Sequence, residues 1–298
     1  LTGGQALTWR MYEGFTTPML KAFLQPGTVA VSVGDATSVY NGVRQLVNAT
    51  VTAPNGFDAS LILGGGRGRD VGQYVTGAYS TQQGYDLIVT GTGTLTITPK
   101  ALTISGGTST LTYSGSAFGN GYVVNGLVAG DSISSIVGGA IGTNVGTYLD
   151  NLSGATGNGL SNYNITYVNG SLTINPRALT ITGANVSGVY TGLEKSHAVV
   201  VNGLVGRDTV TSVEGIAKAT NVGTYADNLS GATGSGLSNY TITYVNGSLA
   251  ITPKALTITG ANGSTIYNGG TQTNGFTTSG LVGADSVTGV IGSASGAN

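Results

Sequence analysis

Tyr163-Asn-Ile-Thr-Tyr-Val-Asn-Gly-Ser-Leu-Thr-Ile-Asn-Pro176 alternates apolar and polar side chains in two runs, Tyr163-Asn-Ile-Thr-Tyr-Val and Gly170-Ser-Leu-Thr-Ile. A period of two is the pattern of a half-buried antiparallel strand. Asn-Gly between two such runs is the signal of a tight hairpin, whose turn needs positive φ. The stretch returns as Tyr240-Thr-Ile-Thr-Tyr-Val-Asn-Gly-Ser-Leu-Ala-Ile-Thr-Pro253. Each occurrence is therefore expected to end in a β-hairpin, with its turn at Val168-Asn-Gly-Ser or Val245-Asn-Gly-Ser.

Outward from that stretch the chain is repetitive. Pro99-Lys-Ala-Leu-Thr-Ile recurs as Pro176-Arg-Ala-Leu-Thr-Ile and Pro253-Lys-Ala-Leu-Thr-Ile, a spacing of 77 residues each time. Thr143 to Leu172 differs from Thr220 to Leu249 only at Leu149/Ala226, Asn158/Ser235 and Asn164/Thr241. Identity at that level requires duplication, and a repeat determines the architecture before any single element does. A diverged copy precedes these two, carried by Val39-Tyr-Asn-Gly, Val71-Gly-Gln-Tyr and Gly93-Thr-Leu-Thr-Ile-Thr-Pro. It has no Asn-Tyr-x-Ile-Thr-Tyr-Val stretch in recognisable form. A fourth copy runs from Ala255 through Ile266-Tyr-Asn-Gly to Asn298, and its second half lies outside the sequence.

The expected organisation is a preceding region and linker at 1–27, a diverged module at 28–99, full modules at 100–176 and 177–253, and a truncated module at 254–298. Between Leu172-Thr-Ile-Asn and Ala178-Leu-Thr-Ile stand only Pro176 and Arg177. Proline fixes φ and donates nothing to a sheet, so it suits the place where one sheet ends and another begins. With no flexible Gly/Ser tether, the modules are expected to form an elongated, semi-rigid rod growing by about 30 Å per copy. The expected fold class is all-β, with tandem small β-sandwich modules of immunoglobulin-like kind. The alternative is a β-grasp-like module, in which Gly-Leu-Val-x-x-Asp (from Gly126, Gly203 and Gly280) opens one short helix.

Composition agrees with strands and turns. The 298 residues include 52 Gly and 15 Tyr, only 8% are charged, and there is no Cys. The formal charge of -1, with eleven scattered basic residues, offers no electrostatic footprint for nucleic acid or an anionic membrane. No apolar run reaches the roughly 18 to 20 residues of a spanning helix. Leu1-Thr-Gly-Gly lacks a start Met and a signal peptide pattern, so the sequence is expected to begin mid-protein or after processing.

No constellation for catalysis emerges. His197 is the single histidine; it stands where the other copies have Asn120 and Asn274 and is read as a surface residue. Without a second His or any Cys, zinc sites and Ser-His or Cys-His machinery are excluded. Asp131, Asp208, Asp285, Asp150 and Asp227 recur, and they are the candidate calcium ligands. Lacking Asp-x-Asp-x-Asp-Gly clustering, they are read instead as turn caps bonded to their own backbone. No metal, cofactor or catalytic residue is expected, and the chain is read as no enzyme. Lys100 and Lys254 open modules where a Lys-Asn crosslink is conceivable, but Arg177 at the equivalent place argues against it. Tyr113/Tyr190/Tyr267, Tyr148/Tyr225, Tyr163/Tyr240 and Tyr167/Tyr244 are either a sugar-stacking strip or, as favoured here, core residues with hydroxyls at the rim. Nine Asn-x-Ser/Thr sequons, among them Asn169, Asn239 and Asn246, allow glycan attachment.

Together, Tyr-x-Gly (Tyr40-Asn-Gly, Tyr113-Ser-Gly, Tyr190-Thr-Gly, Tyr267-Asn-Gly), Gly-Leu-Val-x-x-Asp, Val-Gly-Thr-Tyr and the closing stretch resemble the YDG/MBG-type modules of large bacterial exoproteins. These are similar to filamentous-haemagglutinin-like adhesins exported by two-partner secretion. Trp9-Arg-Met-Tyr-Glu-Gly and Pro18-Met-Leu-Lys-Ala-Phe-Leu resemble the segment that joins a repetitive β-region to the first module. The resemblance implies a secreted, cell-surface adhesin stalk or fibre segment without catalytic residues, whose partners are other repeats of the same protein. The alternatives are that the modules bind host or environmental glycans directly, or assemble into a biofilm matrix, including by strand addition to the incomplete fourth module.

Overall fold

The computed structural model describes residues 9–10, 19–20, 25–32, 34–47, 50–52, 58, 62–64, 67–75, 78–80, 85–90, 93–292 and 294–296. Most of 1–27, including most of the expected joining segment, lies outside them, as does the sequon at Asn48. The described residues are all-β, in tandem small sandwich modules; their only helical turns are 3₁₀, at Leu160–Asn162 and Leu237–Asn239. No described helix is long and apolar enough to cross a membrane. Gly126, Gly203 and Gly280 do not open helices: each stands at φ between +104° and +114°, and the chain turns instead, with Asp131 N–H donating to Val128 O (3.2 Å). The β-grasp alternative is corrected on that ground. A glycine is needed at Gly203, where a Cβ would lie 2.5 Å from Ala178 O.

The chain divides into two compact units: Leu1–Ser109 with Gly119–Ile141 and Tyr148–Leu172, and Thr110–Phe118 with Gly142–Thr147 and Thr173–Asn298. The second holds residues 177–253 entire and shows the plan of a repeat. Arg177–Gly183 runs parallel to Tyr240–Val245, with Arg177 opposite Tyr240, and pairs antiparallel with Val199–Asn202 on its other edge. Asn185–Val189 runs parallel to Ser248–Thr252, with Asn185 opposite Ser248, and Gly223–Ala226 pairs antiparallel with the far edge of Ser248–Thr252. Both parallel ladders join residues 63 positions apart. They are thus two stretches of one ribbon in unbroken register, bent at Ala184 and Gly247, where Ser248 N–H donates to Ala184 O (3.2 Å). Leu179, Ile181, Leu249 and Ile251 are buried along it, and the intervening polar residues face outward.

This arrangement corrects the expected closing hairpin. Tyr240–Val245 and Ser248–Thr252 belong to different sheets, and neither Asn246 nor Gly247 has positive φ. Alternation identifies a strand but carries no information on which strand it pairs with, and these runs pair parallel with the start of the repeat. Asn-Gly serves a different need here. A Cβ on Gly247 would lie 2.4 Å from Ala184 O, so glycine allows two backbones to meet at the bend. Asn246 Oδ1 accepts the Leu229 N–H (2.9 Å).

In the first unit the same plan holds. Lys100–Gly106 is parallel to Tyr163–Val168 and antiparallel to Tyr122–Asn125. The diverged copy has it too: Gln25–Ser32 is parallel to Tyr85–Thr90, and Ala36–Val39 to Thr94–Thr98, with Gly72–Val75 antiparallel on the far edge. Tyr85–Thr90 therefore takes the place of the stretch that the diverged sequence does not display. Pro99 alone separates Thr94–Thr98 from Lys100–Gly106. Across it the core is continuous, for Tyr40, Val47, Leu95 and Ile97 pack in one cluster with Leu102 and Tyr163.

Candidate functional site: a tyrosine–aspartate clasp at the repeat joints

In the first unit, the turn after Gly-Leu-Val presents Asp131 to two tyrosines from different copies. Asp131 Oδ2 accepts the hydroxyl of Tyr40 (2.9 Å), from the Tyr-x-Gly of one copy, and that of Tyr163 (2.6 Å), from the closing stretch of the next. The Tyr163 oxygen in turn accepts the Val128 N–H (3.0 Å). The two rings meet edge to face, with centroids 5.4 Å apart at 79°. Hydrogen bonds to a carboxylate are about twice as strong as neutral ones, and a T-shaped aromatic pair adds about 0.5–1.5 kcal/mol.

The second unit repeats the clasp. Asp208 Oδ2 accepts from Tyr113 (2.9 Å) and Tyr240 (2.7 Å), the Val205 N–H donates to the Tyr240 oxygen (2.9 Å), and the rings lie 5.4 Å apart at 80°. Other motifs converge on the same joints. The buried Asn162 accepts the Val71 N–H (2.7 Å) and donates to Asp70 (3.1 Å); Asn239 does likewise with Val145 (2.8 Å) and Asn144 (3.2 Å). Gly42 of Tyr-x-Gly, at φ +80°, faces Val128, whose Cγ2 would be 3.0 Å from a Cβ there. Gly159 and Gly236, at φ +78° and +73°, sit against Asp131 and Asp208, where a Cβ would come within 2.2 Å and 2.0 Å of Oδ1. The sequence reading missed Asn162, Gly159 and Gly236 altogether, and saw Asn239 only as a sequon. They lie in a stretch almost wholly identical between copies, where nothing points to a role at the joint.

The tyrosines grade the joint. Tyr40 and Tyr113 are 1% and 4% exposed. Tyr190, facing the half-present fourth copy, is half-buried and reaches Asp285 at 3.4 Å. Tyr267 is 68% exposed. The first two, with Tyr163 and Tyr240, are core residues rather than a sugar-stacking strip.

Burial first, and the adjacent aspartate second, push the phenols of Tyr40, Tyr113 and Tyr240 upward, and Tyr163 to about 12. The folded protein therefore keeps protons that the unfolded chain gives up near 10. The clasps' stability is fully present below pH about 10 and is lost as pH rises toward 12. Ultraviolet titration is expected to show a late-ionising class of tyrosines whose release coincides with unfolding; smooth ionisation of all tyrosines near 10, with the fold intact, is the contrary result.

A second buried carboxylate braces each bend. Asp150 accepts from Ala140 N–H (2.7 Å), Gly170 N–H (3.0 Å) and Asn120 Nδ2 (2.9 Å). Asp227 accepts from Ala217 N–H (2.8 Å) and Gly247 N–H (2.9 Å), and His197 Nε2 stands 2.9 Å from its Oδ1. Burial alone raises a carboxyl, but these two backbone donors and His197 outweigh it and hold Asp227 below its usual 3.8. His197 is thus no surface residue: its side chain is 3% exposed, placed over Asp227 where the preceding copy has Asn120. The Nε2 contact lies off the line of a directed hydrogen bond.

Asp131 shares a cleft with Asp70, but among the described residues no three His, Cys, Asp or Glu side chains cluster. Asp131, Asp208, Asp150 and Asp227 are surrounded by O–H and N–H donors, the opposite of what a cation needs. Nor are they caps of their own turns, since their partners lie 10 to 95 residues along the chain. Arg177 donates Nε to Gly203 O (3.1 Å) at the position of the module lysines. Of the sequons, Asn239 is 4% exposed, which leaves it no room for a glycan, while Asn169 and Asn246 are exposed and accept the Leu152 and Leu229 N–H groups at Oδ1.

The family of MBG domains of the YGX type matches residues 95–173 and 179–250. No curated protein matches the chain.

Proposed function

Since the chain belongs to the MBG domain family of the YGX type, we propose that it is a non-catalytic stalk segment of a secreted bacterial surface protein, holding binding regions away from the cell. The observation that carries this reading is the clasp. Each joint buries a tyrosine of one copy against an aspartate and a tyrosine of the next, over a linker of a single proline at Pro99 or Pro176. Joints that share a core resist swivelling, because a hinge would expose Tyr40 and Tyr113 to water and leave their hydroxyls without the carboxylate. Arrays coupled only through neighbours are extended and gain reach copy by copy.

Small-angle scattering of the whole chain tests the stalk. A compact globule of this length has a radius of gyration of about 19 Å. A value well above that is expected, and a value near it overturns the reading. A second reading, direct glycan binding, draws on an open polar cleft of about 420 Å³ at the first joint, with Arg69, Asp70, Asn158 and Ser161 among its walls. Reproducible binding on a glycan array would favour it over a purely structural role.

A further inference from the structure

The chain enters the copy at 177–253 and leaves it on neighbouring strands. Its opening strands, Arg177–Gly183 and Asn185–Val189, lie parallel to its closing strands, Tyr240–Val245 and Ser248–Thr252. The first opposed pair is Arg177 with Tyr240, and the last is Val189 with Thr252. Pro176 precedes Arg177 and Pro253 follows Thr252. The covalent chain thus reaches the ribbon at one end and departs from the other. A pull on the chain either side of the copy draws the two strands past each other along their length. It cannot peel them apart from one end, as it could if the same strands were antiparallel.

We infer that this ribbon is a tension-bearing clamp, in which force carried along the chain loads the parallel ladder in shear. The inference deepens the stalk reading and rests on it for the source of the tension. Bonds in a parallel ladder are evenly spaced, so a shearing load is shared along the ribbon, whereas unzipping breaks one pair at a time. The register admits no small slip, because a shift of one residue turns a strand's apolar set outward. Here that set is Leu179, Ile181, Leu249 and Ile251, each 3% exposed or less.

The bend is held as well. Gly247 N–H (2.9 Å) and Ala217 N–H (2.8 Å) donate to the buried Asp227, and Ser248 N–H donates to Ala184 O (3.2 Å). Straightening the ribbon under load would strip that carboxylate of its donors. At the exit, Tyr190 N–H donates to Thr252 O (2.8 Å) and fastens the last residue before the chain departs. The copy at 100–176 opens on the same parallel register, with Lys100 opposite Tyr163.

The test moves one point of attachment along one strand. The sequence has no cysteine, so paired thiols place the handles for optical tweezers on the 298-residue chain. Ala178→Cys with Thr252→Cys sets them at opposite ends of the ribbon and loads it in shear. Ala178→Cys with Thr243→Cys sets them near the same end and unzips it. Ala178 faces Thr241, which makes Thr243 its diagonal neighbour, about 7–8 Å away and out of disulfide reach. Ala178, Thr243 and Thr252 are exposed, so both variants should keep the parent's urea midpoint and differ only in the direction of pull.

Forced unfolding follows the barrier along the pulled direction rather than the equilibrium free energy, so at one loading rate the shear pair should rupture at about twofold higher force or more. Val189→Cys with Thr241→Cys, also exposed, shears the ladder in the reciprocal sense and carries the comparison if Thr252→Cys lowers the midpoint. Equal rupture forces in the two geometries, or a lower force in shear, overturn the inference. Scattering reports the shape of the stalk and this comparison the strength of its ladder, so either can fail without the other.

Discussion

Asp208→Ala is expected to destabilise the chain by about 2–4 kcal/mol, read as a lower urea midpoint for loss of β-sheet circular dichroism. The residue accepts two phenol protons at one oxygen. Its removal leaves the hydroxyls of Tyr113 and Tyr240, residues 4% and 8% exposed, facing a hole, at about 1–3 kcal/mol for each buried group left unpaired. The lower end of the range allows for water, since the carboxylate itself is only half-buried. Tyr113→Phe alone should cost about 1 kcal/mol, because it deletes both the donor and the need for an acceptor on that side. The two changes together should cost clearly less than their separate effects combined, the signature of groups sharing one network. Strict additivity, or an Asp208→Ala midpoint equal to the parent's, would rule out an energetic role for the clasp.

Gly183→Ala should cost about 3 kcal/mol or more, while the same change at Gly260, its counterpart 77 residues on, should stay within about 0.5 kcal/mol. A Cβ at Gly183 would fall 2.0 Å from Asp227 Oδ2 and 2.7 Å from Gly247 N; at Gly260 nothing lies within 4 Å. Neither glycine has positive φ, so backbone strain does not contribute and the contrast isolates the close approach at the bend. Relief would require moving Asp227 off the Ala217 and Gly247 amides, leaving a buried carboxylate short of donors. Equal effects at the two positions would show that the bend is not the constraint.

Much of this organisation is readable from the residues alone. Strand identity followed from alternation in Tyr163-Asn-Ile-Thr-Tyr-Val and Ala178-Leu-Thr-Ile, and each segment is a strand. The role of proline at the boundary followed from its missing N–H. The unusual glycines of Tyr-x-Gly were visible as a motif, though not as the place where one copy backs onto the next. His197 was misjudged because an isolated polar residue in a variable segment gives no hint of a buried carboxylate 30 residues away. The hairpin was misjudged for a related reason: Asn-Gly is compatible with a type I′ turn, but a turn type is a local preference and the pairing of a strand is not.

That the protein is a run of β-repeats, and where their strands lie, is written in the residues, because side-chain period and proline act over a few residues and leave their mark there. That the closing strands run parallel to the opening ones, and that Tyr40, Asp131 and Tyr163 meet across a joint, emerges from the folded chain alone. Those contacts join residues 32 to 91 positions apart. They depend on the path the chain takes between them, and a carboxylate's choice of donor is settled by which groups that path brings within 3 Å of it.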